Sequence, residues 1–272
     1  MSRYLCTVTG KFGDALWQLA TAKLIADTVV KGKVDIGLME PYGSLIPLLA
    51  SQRWIDTAAV IKEWKVQGSP YGDQPWEAPM LYPEMYEKVW HLGLRCHPGI
   101  HTKSMPLIDF IAGQQGFQFS GTPAPWLVSE IMPNLDFIIA HVTVEIPYVA
   151  YAFNGGHAGL KQMVVGSLEG KFAMVDVTKF PWHPAAYVIK NAIGFVGDRS
   201  SNKVLAHAVG QKNIICYEPN RARNKFGPFG DVFGFPYGEE YTWQWNVHPV
   251  QVQEEAVLKI QEWSKENDNG SN

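Results

Sequence analysis

The chain has 272 residues, of which 46% are apolar and 18% charged, and its formal net charge is −3. This composition predicts a folded protein and excludes an intrinsically disordered chain. The charge gives no overall attraction to nucleic acid or anionic membrane, although a local basic patch stays compatible with it. Three widely spaced cysteines argue against a disulfide framework. Without a signal peptide or an apolar run long enough to span a bilayer, a soluble cytoplasmic protein is expected.

The first half of the chain alternates strand and helix patterns, as a parallel α/β layer does. Strands are predicted over 5–9, 34–39 and 58–66, and helices over 14–29, 45–51, 86–94 and 105–115. The proline-rich segment 67–83 reads as an irregular loop. The sequence Ser-Gly-Thr-Pro-Ala-Pro at 120–125 has the composition of a linker.

After that linker the same alternation begins again. Strands are predicted over 135–144, 172–177, 194–197 and 213–217, and helices over 160–168, 185–192, 201–209 and 252–266, with a loop over 226–237. The chain therefore reads as two α/β halves joined near residue 121. Such a chain is expected to bind its ligand in a cleft, against the carboxyl ends of its strands.

The first chemically suggestive segment is Thr-Gly-Lys-Phe-Gly-Asp at 9–14, between a predicted strand and a predicted helix. Gly10 and Gly13 form a backbone turn that lets another molecule come close. Asp14 would lie at the helix start, where a carboxylate either caps free N–H groups or serves as a general base. The two glycines match neither a dinucleotide fingerprint nor a P-loop.

A second segment of the same kind, Gly-Asp-Arg-Ser-Ser-Asn-Lys at 197–203, joins a strand to a helix in the other half. Ser200 and Ser201 lie where hydroxyls and free N–H groups would meet an anion, and Arg199 and Lys203 add positive charge. A phosphate or diphosphate is one interpretation. The other is a serine-capped helix with solvated basic residues.

A third segment follows the strand predicted at 213–217. Glu218 could accept hydrogen bonds from a ribose, and Arg221 and Arg223 could reach phosphates, although an ordinary surface loop explains them equally well. The chain has no Asp-x-Asp pair. That absence argues against transferases that hold a nucleotide diphosphate through a metal on such a pair.

The first two segments together, in this order, resemble the motifs of the ADP-heptose lipopolysaccharide heptosyltransferase family. The matching stretches are GKFGDALWQLATAKLIAD and AIGFVGDRSSNKVLAHAVGQKNIICYEPN. The resemblance implies a GT-B fold, in which two Rossmann-like α/β lobes flank a central cleft. It implies an acceptor-side lobe over 1–122, a nucleotide-sugar lobe over 123–272, and no metal or other cofactor. It assigns the catalytic base to Asp14 and the donor-phosphate turn to Ser200 and Ser201.

Residues and resemblance together predict an inverting, metal-independent glycosyltransferase that uses a nucleotide-diphosphate sugar. The acceptor would be a saccharide hydroxyl, such as one of a lipopolysaccharide core, or alternatively a hydroxymethylated base of viral DNA. A different class of function is also compatible with the sequence, namely a non-catalytic module that binds nucleotide sugars without transferring them.

Overall fold

The structure is a computed structural model that describes residues 2–10, 12–61, 85–93, 107–120, 125–129, 147–153, 158–168, 172–198, 200–217, 247–250, 258–262 and 265. These residues divide into two compact units, one ending at Val128 and the other beginning at Ser129. Each unit contains one parallel sheet with helices between its strands. The predicted α/β class is therefore confirmed. No helix within the described ranges combines the length and apolar character needed to cross a bilayer.

Within the described residues, the first unit has four strands and three α-helices. The strands are β1 (Tyr4–Val8), β2 (Val34–Met39), β3 (Ile55–Ile61) and β4 (Lys88–His91), and the helices are α1 (Phe12–Ile25), α2 (Ile46–Ala50) and α3 (Leu107–Gln114). A π-helical turn, Ala26–Val30, continues α1, and a 3-10 helix, Glu40–Leu45, joins β2 to α2. The strands are parallel in the order β3-β2-β1-β4. The chain therefore proceeds outward from β1 to β3 and then returns to place β4 on the other side of β1.

The predicted helix over 86–94 is wrong, because its centre is the strand β4. Tyr4 pairs with Lys88 and Thr7 with His91 in parallel register. Val89 and Trp90 are the β-branched and aromatic residue types that pack well on a pleated sheet. In so short an apolar segment, periodicity does not separate strand from helix.

Residues 126–128 follow the predicted linker and pack on the first unit. The indole N–H of Trp126 donates to the Leu16 carbonyl at 2.9 Å, and that of Trp54 donates to the Trp126 carbonyl at 3.1 Å. The Gln52 amide bonds both the N–H and the carbonyl of Val128, at 2.7 and 2.9 Å. The boundary predicted between residues 122 and 123 lies outside the described residues.

Within the described residues, the second unit has five strands and three α-helices, besides a short helical segment at 258–262. The strands are β5 (Tyr148–Ala152), β6 (Ala173–Asp176), β7 (Gly194–Asp198), β8 (Ile214–Tyr217) and β9 (Val247–Val250), and the helices are α4 (Ala158–Leu168), α5 (Trp182–Asn191) and α6 (Ser201–Ala208). All strand pairs are parallel, in the order β6-β5-β7-β8-β9. Residues 258–262 are helical, and Ile260 is fully buried against the sheet and α4.

The central strand β5 is absent from the sequence predictions, as is β9. All five residues of β5 are buried, and the strand pairs with β6 on one side and β7 on the other. Within the described residues β9 pairs only with β8, which suits Pro249 because proline tolerates an edge position. The strand predicted over 135–144 and the loop predicted over 226–237 lie outside the described residues.

Candidate functional site

The order of strands reverses once in each sheet. In the first unit the reversal lies between β1 and β4, and in the second between β5 and β7. In open parallel sheets, ligands bind beyond the carboxyl ends of the strands at such a reversal. The predicted turn at 10–14 leaves β1, and the predicted turn at 198–201 leaves β7. Each predicted turn therefore lies at the reversal of its own sheet.

The turn after β1 is held by a buried glutamine. The side-chain amide of Gln18 accepts from the Thr9 N–H and donates to the Thr9 carbonyl, each at 2.8 Å. Gln18 is fully buried on the second turn of α1. These two bonds satisfy the backbone groups where the strand ends, and they let the chain turn at once into the helix. Sequence reasoning missed Gln18, although a polar residue among the apolar positions of α1 was a visible signal.

Asp14 is the third residue of α1, so it lies in the first turn of the helix and not at its N-cap. Gly10 has φ +96°, a conformation that favours glycine. A Cβ atom on Gly10 would lie 2.9 Å from both Cβ and Oδ2 of Asp14. The half-buried carboxylate thus lies directly over the Gly10 backbone, and only glycine leaves room for it. Gly13 is the second residue of α1.

A threonine–histidine pair links Thr7 of β1 to His91, the last residue of the neighbouring strand β4. Thr7 Oγ1 and His91 Nδ1 are 2.9 Å apart, and the Gln115 amide donates to the His91 carbonyl at 2.9 Å. His91 lies at the same sheet reversal as Asp14. Sequence reasoning missed it, because 86–94 was predicted to be helical.

The turn after β7 begins α6 with Ser200 at the N-cap. Ser200 has extended backbone angles there, but its side chain makes no capping hydrogen bond. Its hydroxyl oxygen is shielded from solvent and has no hydrogen-bond partner within the described part of the chain. Ser201 is the first residue of the helix and is half-buried. The N–H groups of a first helical turn lack intrahelical acceptors, so this start offers donors to an anion.

Lys203, predicted to supply charge at this turn, is the third residue of α6 and is only 2% exposed. Asp198, which ends β7, is also 2% exposed. His207 lies one turn after Lys203 and is buried. Burial, and secondarily the charge of Lys203, hold the pKa of His207 well below its ordinary value. The imidazole of His207 is therefore neutral at physiological pH.

Strand β7 approaches β5 closely just before this turn. A Cβ atom on Gly197 would lie 2.5 Å from the Ala152 carbonyl oxygen and 2.9 Å from the Phe195 ring. Glycine at 197 is therefore needed for packing of the two strands at the reversal. Four predicted site residues, Arg199, Glu218, Arg221 and Arg223, lie outside the described residues.

The whole fold is similar to that of solved glycosyltransferases. The Escherichia coli ADP-heptose LPS heptosyltransferase II aligns over 98% of this chain and 99% of its own, with a TM-score of 0.60 and 8% identity. This chain is heptosyltransferase-like in its fold. A glycosyl transferase family 9 protein from Veillonella parvula aligns over 96% of this chain and 89% of its own (TM-score 0.55, 11% identity). The E. coli heptosyltransferase WaaC with ADP aligns over 96% of this chain and 99% of its own (TM-score 0.55, 13% identity).

No protein-family model matches the chain, and a sequence search of curated proteins finds no match. The likeness is therefore one of fold, and at that level it confirms the resemblance drawn from the two motifs.

Proposed function

We propose that this heptosyltransferase-like protein is an inverting, metal-independent glycosyltransferase that moves a sugar from a nucleotide-diphosphate donor to an acceptor hydroxyl. The observation that carries the proposal is the position of the two turns. Each turn leaves a strand at the reversal of its own sheet, where ligands of α/β proteins bind. One turn presents a carboxylate, and the other presents hydroxyls and helix N–H groups. A sugar transfer with a diphosphate leaving group uses both.

In the proposed reaction Asp14 is the general base. Its carboxylate takes the proton of the acceptor hydroxyl as that oxygen forms a bond to the anomeric carbon. The bond between the anomeric carbon and the diphosphate oxygen breaks on the opposite face, and the electron pair leaves with the nucleotide diphosphate. A single displacement of this kind inverts the anomeric centre. Gly10 and Gly13 provide the turn from which Asp14 projects.

The second turn would hold the leaving group. Ser200, Ser201 and the first N–H groups of α6 would bind the diphosphate, and the positive end of the helix would stabilise its growing charge. Arg199 and Lys203 are proposed to add positive charge, Lys203 from its buried position in the first turn. Glu218, Arg221 and Arg223 are proposed to bind the ribose and nucleotide. No step of this mechanism requires a metal ion.

The proposed architecture is GT-B, with the acceptor on the lobe 1–122 and the donor on the lobe 123–272. The similar E. coli proteins support a nucleotide-diphosphate sugar as donor, because one is named for ADP-heptose and another holds ADP. We propose a saccharide hydroxyl as the acceptor.

To test the proposal, the wild-type protein is incubated with each member of a panel of ADP-, UDP- and GDP-sugars. Release of nucleoside diphosphate measures turnover, and proton NMR of the early product gives its anomeric configuration. We expect turnover of one donor class with inversion. We also expect Asp14→Asn to lower the rate by about 10²–10⁴-fold. Asp27→Asn is the matched control, because Asp27 is exposed near the other end of the same helical segment and pairs only with Lys23 in the described structure.

A retained anomeric configuration, or equal rates for the wild type and Asp14→Asn, would overturn the assigned mechanism. Donor binding without turnover of any donor would instead favour a non-catalytic nucleotide-sugar module.

A further inference from the structure

The residues that follow the predicted linker contact the helix that carries the proposed base. Trp126 and Leu127 are 2% and 1% exposed, and they belong to the first unit. The Trp126 indole N–H donates to the Leu16 carbonyl at 2.9 Å. Its ring also packs on the Trp17 ring, with centroids 5.6 Å apart and planes at 33°. Both contacts fall within three residues of Asp14 on α1.

The segment 126–128, here called the strap, is held in place by bonds that do not involve α1. The Trp54 indole N–H donates to the Trp126 carbonyl at 3.1 Å. The Gln52 side chain bonds the N–H and the carbonyl of Val128, at 2.7 and 2.9 Å. Gln52 and Trp54 lie between α2 and β3. The strap is therefore fixed at both of its ends, and α1 packs against a defined surface.

Helix α1 is buried around its whole circumference. Every residue from 15 to 22 is buried, which is more than two helical turns. A helix that is covered on all sides has several packing partners. Here they include β1, α3 and the strap. The first half of α1 is thus hydrogen-bonded at two separate places, by Gln18 to the Thr9 backbone and by Trp126 to the Leu16 carbonyl.

The place of α1 determines the place of the Asp14 carboxylate. A Cβ atom on Gly10 would lie 2.9 Å from Oδ2 of Asp14, so the carboxylate fits closely over the turn. Leu16 is only about 3 Å further along the helix axis, since each residue adds about 1.5 Å. A shift of the helix at Leu16 therefore moves Asp14 as well. Displacing a catalytic group by about 1 Å can lower a rate by about 100-fold.

We propose that Trp126 is a positioning residue for Asp14. Through its hydrogen bond to the Leu16 carbonyl it holds the first two turns of α1, and so keeps the carboxylate where the acceptor hydroxyl must meet it. This inference rests on the proposed function for the role of Asp14 as base, and on contacts within the first unit for the hold on α1. Trp126 acts through the helix and needs no contact with the reacting atoms.

The first variant is Trp126→Phe, which removes the N–H donor and part of the ring. The matched control is Trp90→Phe, because Trp90 is 4% exposed in the same unit but packs on Tyr4 and Lys88. Both variants should unfold at lower urea concentration. Only Trp126→Phe should lower kcat for the donor that the panel identifies, by about 10–100-fold. The donor Kd should stay within about twofold of the wild type in both.

A kcat that falls to the same extent in both variants, or in neither, overturns the positioning role. The first result would make the loss a general consequence of a destabilised core. The second would show that the hold on α1 does not affect the base.

A second variant isolates the hydrogen bond and keeps the test valid if Trp126→Phe does not fold. Trp126→benzothienylalanine keeps the double ring and its contact with Trp17, but it has sulfur in place of the indole N–H. We expect kcat to fall by about fivefold or more, as for the loss of one hydrogen bond. An unchanged kcat in this variant overturns the proposal.

Hydrogen exchange tests the hold on α1 without any turnover. In Trp126→Phe the amides of residues 16–20 should exchange about fivefold faster relative to those of β1, and in Trp90→Phe they should not. Unchanged relative exchange in Trp126→Phe overturns the proposal. If the wild type turns over no donor, the proposed function fails, and hydrogen exchange still decides whether Trp126 holds the helix.

Discussion

The turn after β1 and the turn after β7 occupy the same topological position in their two sheets, but they are built in opposite ways. The first is closed by its own residues, since Gln18 bonds the backbone of Thr9 and the Asp14 carboxylate covers Gly10. The second leaves its serine without a hydrogen bond, since Ser200 caps nothing and its solvent-shielded hydroxyl has no partner within the described residues. A turn that must aim one carboxylate benefits from rigidity, whereas a turn that binds an anion must keep its donors available.

Removing Gln18 tests the closed turn and should have the largest effect on stability. Gln18→Leu leaves the buried N–H and carbonyl of Thr9 without their partners, so the free energy of unfolding should fall by about 2–4 kcal/mol. Urea denaturation measures the change. Gln162→Leu is the control, because Gln162 is exposed on α4 and should change stability by less than about 0.5 kcal/mol. A change of similar size in both variants would contradict the role of Gln18.

Adding a methyl group to the same turn should have a smaller cost in stability and a clear effect on the rate. Gly10→Ala places a Cβ atom against the Asp14 carboxylate at a φ of +96°, so we expect a loss of about 1–3 kcal/mol. The proposed transfer rate should fall because the carboxylate must move. Gly113→Ala is the control, since a Cβ there meets nothing within 4 Å in α3. A Gly10→Ala variant with the wild-type rate would show that the position of Asp14 does not matter.

The buried face of α6 can be tested through the pH dependence of stability. The pKa of His207 is depressed in the folded state, so the unfolded chain takes up a proton near pH 6.5 that the folded chain does not. His207 therefore makes the protein less stable as the pH falls below that value, with a slope of up to about 1.4 kcal/mol per pH unit. His207→Gln should flatten the stability profile between pH 7 and 5. An unchanged slope would place the titrating group elsewhere.

The smallest effect on stability is expected at the turn after β7 itself. Ser200→Ala removes a hydroxyl that makes no capping bond, so the free energy of unfolding should change by less than about 0.5 kcal/mol. Donor binding should nevertheless weaken several-fold, since about 1 kcal/mol is typical of one hydrogen bond. Ser51→Ala is the comparison, because the Ser51 hydroxyl already donates to the Leu48 carbonyl. A large loss of stability in Ser200→Ala would mean that Ser200 is a structural cap.

The sequence was enough to predict the two turns, because each is a local pattern of strand, glycine and helix. It was not enough to predict what surrounds them. His91 lies beside Thr7 only because β4 pairs with β1 in a particular register, and strand order is set by tertiary packing. The burial of Lys203 was missed for a similar reason. From the sequence, a lysine beside two serines is expected to be solvated, whereas in the fold the Lys203 side chain is buried.

The central claim is that Asp14 performs chemistry and does not hold the donor. The most direct test measures, for the donor that the panel identifies, both the equilibrium dissociation constant and the turnover rate of Asp14→Asn. Calorimetry should give a donor Kd within about twofold of the wild type, while turnover falls by about 10²–10⁴-fold. An Asp14→Asn protein that loses donor binding and turnover to the same extent, or that loses neither, would contradict the assignment of Asp14 as the base.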